Sequence, residues 1–326
     1  MPPGTFPAKV RKGTPMHSAA SVKKTARALS RTASDKLFSL ALLTPAAIMT
    51  TLFILVPVID SVVKSFQKYQ IKNIIRNIPG EWNNFANYLK LFQSGRLAEA
   101  AAHTLAFVAA VVIAQFLLGL ALALVLNGNI RGARFFRSVM MTPWVIPTVI
   151  SALIWMWIYQ PQYGLLKYLL YAMTGGRVAD FAMLNNPRTA LWGIAVAALW
   201  KQVPLMALLM LAGLQNVPED MLEAATIDGA GAVRRFLSIT LPYLKSVIKV
   251  AVTMSIIENF KQFPLFQTMT GGGPDGATTT FAILSYREAF VSNNLGSGAA
   301  VTTVWMLLMM VIVVLSNRLL RVSDMN

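Results

Sequence analysis

An all-α membrane protein of about six transmembrane helices is the fold class the sequence predicts, and three observations carry that expectation. Hydrophobic residues make up 56% of the 326-residue chain and charged residues only 13%. Water-soluble domains typically carry about 25% charged residues, so the polar surface such a fold needs is missing. Separate apolar segments lie at 37–63, 101–126, 135–159, 189–214, 244–266 and 299–320, each longer than the ~20 residues that cross a hydrocarbon core. The net charge of +16 is spread between these segments rather than gathered into one block. That distribution reads as membrane topology and argues against a nucleic-acid partner.

Residues 1–36 precede the first apolar run. They hold Lys9, Arg11, Lys12, Lys23, Lys24, Arg27, Arg31 and Lys36, with no acid before Asp35. Such a segment cannot bury enough apolar surface to fold alone. A basic cytoplasmic tail is expected rather than a cleaved signal peptide, which needs a compact apolar run behind its charges. The first span and an external segment fill 37–100, and a core region follows over 101–322, including a polar loop at 219–242. Pro143 and Pro147 are expected to kink the third span, which packed membrane helices tolerate. With the N-terminus inside, the cytoplasmic segments hold more than half of the 29 Lys and Arg residues. The outer loop after the first span is also basic (Lys64, Lys68, Lys72, Arg76, Lys90 and Arg96), so the bias is moderate. The short inner loop LNGNIRGARFFR carries Arg131, Arg134 and Arg137 and no acid, and short loops weigh most in orientation. Both chain ends are therefore expected on the cytoplasmic side.

The absence of cysteine excludes disulfides and thiolate metal sites. His17 and His103 stand far apart without an acidic cluster, so no metal centre is expected. The 17 methionines read as adaptable packing.

The loop between the fourth and fifth spans carries the most specific pattern. Glu219 and Asp220, after Pro218, suit the positive N-terminal end of a helix. Met221, Leu222, Ala225, Ile227 and Ala230 are expected to form its apolar side. Gly229 and Gly231 then allow a sharp turn. A second short helix over 232–240 would present Phe236, Leu237 and Ile239, with Arg234 and Arg235 on the polar side. Pro242 fits the first turn of the next span, where its missing N–H costs nothing. The competing reading of the loop is an amphipathic helix lying on lipid.

The run EAATIDGAGAVRRFLSITLP at 223–242 resembles the EAA signature of the membrane-spanning subunits of bacterial ATP-binding cassette importers. WNNFANYLKLF, RGARFFRSVMMTPWVIPTVISALIWMWIYQPQYG, LNNPRTALWGIAVAALW and MTGGGPDGATTTFAILSYREAF are similar to segments of that family's carbohydrate-uptake branch, which includes glycerol-phosphate permeases. Together they cover about residues 82–310. The chain departs from the pattern at His103, where Asn is common, and at Val233, where an aromatic is usual. The resemblance implies a bacterial inner-membrane subunit that is not itself an enzyme. It also implies a second permease subunit, two ATPase subunits, an extracytoplasmic solute-binding protein and a carbohydrate substrate. No cofactor belongs to this chain; ATP and Mg belong to the ATPases. By the same resemblance, Glu223, Ala224, Ala225, Asp228, Gly229, Ala230, Arg234 and Arg235 transmit ATPase closure to the spans.

Polar groups inside spans are costly and usually face a cavity or a partner. Glu258, Asn259, Lys261 and Gln262 cluster in the fifth span, and Lys201 and Gln202 lie in the fourth. Trp155 stands near the end of the third beside Trp157 and Tyr159. These residues are expected to line a substrate path. An ion pair between Glu258 and Lys261, one helical turn apart, and an interfacial aromatic belt are the structural alternatives. Pro264 is expected to break the fifth helix. Gly271-Gly272-Gly273-Pro274 lacks the Lys that a phosphate-binding Walker loop requires, so it reads as an external turn, with docking of the binding protein as the functional alternative. An ion-coupled secondary transporter would have no use for the 219–242 loop, and a membrane scaffold would have none for polar groups within a span. The breadth of the polar and aromatic set favours an oligosaccharide over a glycerol phosphate.

Overall fold

Lipid offers no hydrogen bonds, so each spanning segment must satisfy its own backbone, and helices result. The computed structural model describes residues 36, 38–128, 131–176 and 182–319. The basic tail before Lys36 and the last residues, 320–326, lie outside the described residues. Among those described, five helices are long and apolar enough to span, or six if one bent pair counts as a span.

The chain divides into two units, residues 1–60 and 61–326. The described part of the first is most of α1 (Phe38–Ser65), whose side chains up to Asp60 are exposed. A π turn at Thr51–Leu55 precedes Pro57, and Val56 N–H reaches the Thr51 carbonyl across it. The wider turn accommodates the bond that proline cannot make.

The second unit continues beyond the first span into a short segment of strands and helices. Strands β1 (Gln67–Lys68) and β2 (Glu81–Trp82) pair antiparallel around α2 (Ile71–Ile75), and α3 (Ala86–Gln93) follows. The Asn87 side-chain amide donates to the carbonyls of Ser65 at 2.8 Å and Gln67 at 2.9 Å, fixing the chain's turn away from α1. The bundle core is α4 (Arg96–Asn127) packed along much of its length on α9 (Ala190–Leu214). Gly119 makes this approach possible, because a Cβ there would stand 2.4 Å from Met206 Cγ. Phe107, Ile194 and Phe266 sit fully buried at one end of the core, and Met206, Met210 and Leu244 at the other.

The third span departs from expectation. It forms α5 (Ala133–Met140), α6 (Thr142–Val145) and α7 (Thr148–Ile158), with the halves before and after Ile146-Pro147 bent by 94°. This is a break rather than a kink. Pro147 has no N–H for the helical ladder, and the residue before a proline is driven out of the helical region; Ile146 is extended, at φ −62° and ψ 133°. The helix α8 (Leu165–Thr174) then lies between the third span and α9.

After α10 (Glu219–Ile227), the fifth span also differs from its predicted range of 244–266. It is one helix, α11 (Ala232–Phe260), so the separate short helix expected over 232–240 does not exist. Pro242 sits inside the helix, preceded by a π turn at Phe236–Thr240 in which Leu241 N–H reaches the Phe236 carbonyl. The ladder thereby passes the proline without a terminus. At the other end the helix stops at Phe260, and Pro264 opens α12 (Pro264–Met269). The remaining elements are α13 (Phe281–Tyr286), extended by a π turn over Arg287–Val291, and the last span α14 (Leu295–Leu319).

Candidate functional site

A cavity of about 340 Å³ opens where the break in the third span meets α4, α9 and α11. Trp144 and Thr148 contribute from the break, Lys201, Gln202 and Leu205 from α9, Gln115 from α4, and Met254, Ser255 and Glu258 from α11, with Gln262 just beyond it. Four of the seven predicted path residues line this cavity and three do not.

Lys201, Gln202, Glu258 and Gln262 all line the cavity, whereas Asn259 does not. Asn259 is 2% exposed and ties helices together. Its amide pairs reciprocally with that of Gln202, at 3.0 and 3.1 Å, and donates its second proton to the Ser255 carbonyl at 2.9 Å. Ser255 Oγ in turn donates to Gln115 Oε1 at 2.7 Å. Every polar atom of the Asn259 side chain is thus engaged, in a link between α9 and α11. Replacing Asn259 with Leu should cost about 1–3 kcal/mol, because it removes both bonds of the reciprocal amide pair and leaves the Gln202 amide without its partner. The melting midpoint in detergent should fall, and the double change with Gln202→Leu should cost less than the sum of the two.

Lys201 has a distinct role at the break. Its ammonium donates to the carbonyl of Trp144 at 3.2 Å and to that of Ile146. These carbonyls lost their helical partners when the chain turned, and an unmet carbonyl within the membrane is costly. Lys261 pairs with Glu258 at 2.7 Å, with both side chains more than half exposed, and stays outside the cavity lining. Trp155 is also outside it. Its ring packs against Tyr159 at 5.3 Å and Trp200 at 6.0 Å, as part of the core.

Sequence reasoning passed over Gln115 and Ser255. Gln115 is an amide within an apolar span, the same signal that singled out Gln202, but it stands alone rather than in a cluster. Trp144 and Thr148 enter the site only because the third span breaks.

The 219–242 loop begins with α10, led by Glu219 and Asp220. Gly229 closes it at φ +78°, with Gly229 N–H on the Thr226 carbonyl at 3.0 Å and Ala230 N–H on that of Ala225 at 2.9 Å. This is the glycine-dependent helix end in which a left-handed residue returns two bonds to the last turn. The Arg235 guanidinium bonds the Thr226 hydroxyl, and Tyr243 Oη donates to Met221 Sδ at 2.9 Å, so α10 is tied to α11. Glu223, Ala224, Asp228, Gly229 and Arg234 are exposed, whereas Ala225, Ala230 and Arg235 are half-buried. The expected apolar side is incomplete: Ile227 is 87% exposed and Met221 42%. Val233, outside that set, is 73% exposed. Five residues on from Leu222 is ~140° around a helix, which turns Ile227 outward.

Residues 115–324 match the protein family described as binding-protein-dependent transport system inner membrane component. The chain is 38% identical over 216 residues to the trehalose/maltose transport system permease protein MalF of Thermococcus litoralis, covering 66% of this chain and 72% of that one. It is 33% identical over 290 residues to the sulfoquinovosyl glycerol transport system permease protein SmoG of Agrobacterium fabrum, covering 89% and 92% respectively. Its fold is that of a chain of a bacterial ABC transporter involved in the import of the acidic polysaccharide alginate. The TM-score is 0.75 at 21% identity, over 91% of this chain and 99% of that one. The six-span plan, the loop and these matches agree, and the chain belongs to the family of inner-membrane components of binding-protein-dependent transport systems.

Proposed function

We propose that this chain is the membrane-spanning subunit through which an ATP-driven importer moves a carbohydrate, foremost an oligosaccharide, handed over by an extracytoplasmic binding protein. The observation that carries this reading is the cavity itself. Amide, hydroxyl and ammonium groups share its wall with Trp144 and Met254, and a sugar offers hydroxyls to the former and apolar C–H faces to the latter. The two permease relatives, for trehalose/maltose and for sulfoquinovosyl glycerol, support the same substrate class. A second permease subunit completes the cavity, and two ATPase subunits hold the ATP and Mg that this chain does not use itself.

The loop at 219–242 transmits ATPase closure. Ile227 and Val233 stand exposed on it beside Glu223 and Asp228, and exposed apolar groups rimmed by polar ones mark contact surfaces. That surface favours ATPase coupling over ion coupling. Both termini and this loop lie on the cytoplasmic side, with residues 1–36 as a basic tail, 37–100 as first span and outer segment, and 101–322 as the transport core. Closure of the ATPases opens the cavity outward, and hydrolysis returns it inward.

The test is ATP hydrolysis by the reconstituted four-subunit complex with its binding protein, against neutral oligosaccharides, acidic oligosaccharides and glycerol phosphate. Stimulation by a carbohydrate is expected. Hydrolysis that ignores every carbohydrate would keep the permease and remove the sugar.

A further inference from the structure

We propose that Lys201 is a specificity-determining residue of the transport cavity, and that the carbohydrate it selects carries an acidic group: a carboxylate, a sulfonate or a phosphate. This rests on the carbohydrate-importer reading above.

Two charged residues line the cavity among the described residues, Glu258 and Lys201. Glu258 has Lys261 beside it at 2.7 Å, so its charge is matched. Lys201 has no carboxylate partner among the described residues; its bonds go to the main-chain carbonyls of Trp144 and Ile146. Those carbonyls need donors, not charge. A neutral amide would serve them, and Gln202 beside it shows that amides reach this layer of the bundle. A lysine near the middle of a spanning helix is costly, so the charge exceeds what the break requires. An ammonium has three protons, and two are committed to the carbonyls, which leaves one for a ligand.

The neighbouring polar groups sharpen the assignment. Gln115 and Ser255 are bonded to each other, and Gln202 to Asn259. The side chains of Gln262 and Thr148 also line the cavity and carry no hydrogen bond among the described residues, so they remain for hydroxyls. A neutral sugar would gain a hydrogen bond from the Lys201 ammonium. An anionic one gains that bond, shortened between two ions, and the attraction of opposite charges in a setting where water screens poorly.

The experiment is uptake by the complete transporter with its binding protein in liposomes. Maltose-series oligosaccharides serve as the neutral arm; uronate oligosaccharides, a sulfonated hexosyl glycerol and glycerol phosphate serve as separate acidic arms. Wild type should take up one acidic class in preference to the neutral arm, and the arm that responds names the acid. Lys201→Gln keeps donors for the break but not the charge. It should lower kcat/KM for the acidic solute by ~10-fold or more, with a far smaller change for any neutral solute carried. Lys201→Arg should restore most of the loss. Uptake confined to neutral sugars in wild type would overturn the inference and leave the importer standing, whatever the fate of the variants. Unaltered acidic uptake by Lys201→Gln would overturn it too. Uptake of none of these solutes would overturn the carbohydrate reading and this inference together, and leave the permease family standing.

Discussion

Glu223→Lys is expected to cut substrate-stimulated ATP hydrolysis of the assembled transporter by about 100-fold or more, while leaving the melting midpoint of the chain unchanged. Glu223 is exposed on α10 and makes no hydrogen bond or ion pair among the described residues. The fold therefore loses nothing with it. What changes is the sign of charge on a surface that also presents Ile227 at 87% exposure. Placing a like charge against a docking partner costs several kcal/mol, and about 2.7 kcal/mol already amounts to ~100-fold in affinity. Co-purification of the ATPase subunits and hydrolysis in the presence of the binding protein measure the two consequences. A variant that keeps its ATPases and its stimulation would show that the loop docks elsewhere than at Glu223.

Much of this surface is legible in the chain because its determinants are local. Gly229 after Thr226 and Ile227 ends a helix whatever surrounds it, and acids at 219 and 220 begin one. The apolar segments are equally local, since lipid imposes helix on any segment long enough to span. Legibility fails where two local signals compete. Pro147 and Pro242 look alike in sequence, yet one ends a helix and the other lies inside one. A π turn ahead of Pro242 lets the ladder pass. At Pro147 the chain turns by 94°, and Lys201, distant in sequence, meets the freed carbonyls.

The lining of the cavity is legible by residue type but not by orientation. Glu258, Asn259 and Gln262 are all polar and near the C-terminal end of one helix, but only the buried one, Asn259, is used up by its neighbours. The choice between lining a cavity and joining helices depends on which residue of α9 faces it. Here that is Gln202, whose complementary amide satisfies donor and acceptor at once. Nothing in the fifth span alone specifies that partner. The same holds for Trp155, whose place in the core follows from Trp200 and Tyr159 rather than from its own type.

A second large effect is expected far from both sites, for Arg96→Met. Glu288 lies in the π turn after α13 and is only 5% exposed. Its carboxylate accepts from the Arg96 guanidinium at the start of α4 and, at 2.7 Å, from Ser297 Oγ at the start of α14. Three helix ends are joined through this one side chain. Removing one partner of a buried ion pair costs about 3–5 kcal/mol, because the other charge stays buried. The Arg96 side chain is 42% exposed, so water refills part of its place and about 2–3 kcal/mol is the expected loss. Adding Glu288→Gln should recover most of it, since the neutral amide keeps an acceptor for Ser297 and no longer needs a cation. The opposite result, a double variant as unstable as the two single losses added together, would mean that Arg96 and Glu288 are not coupled and that Ser297 alone holds the carboxylate. A melting series in detergent on the four chains decides between these outcomes.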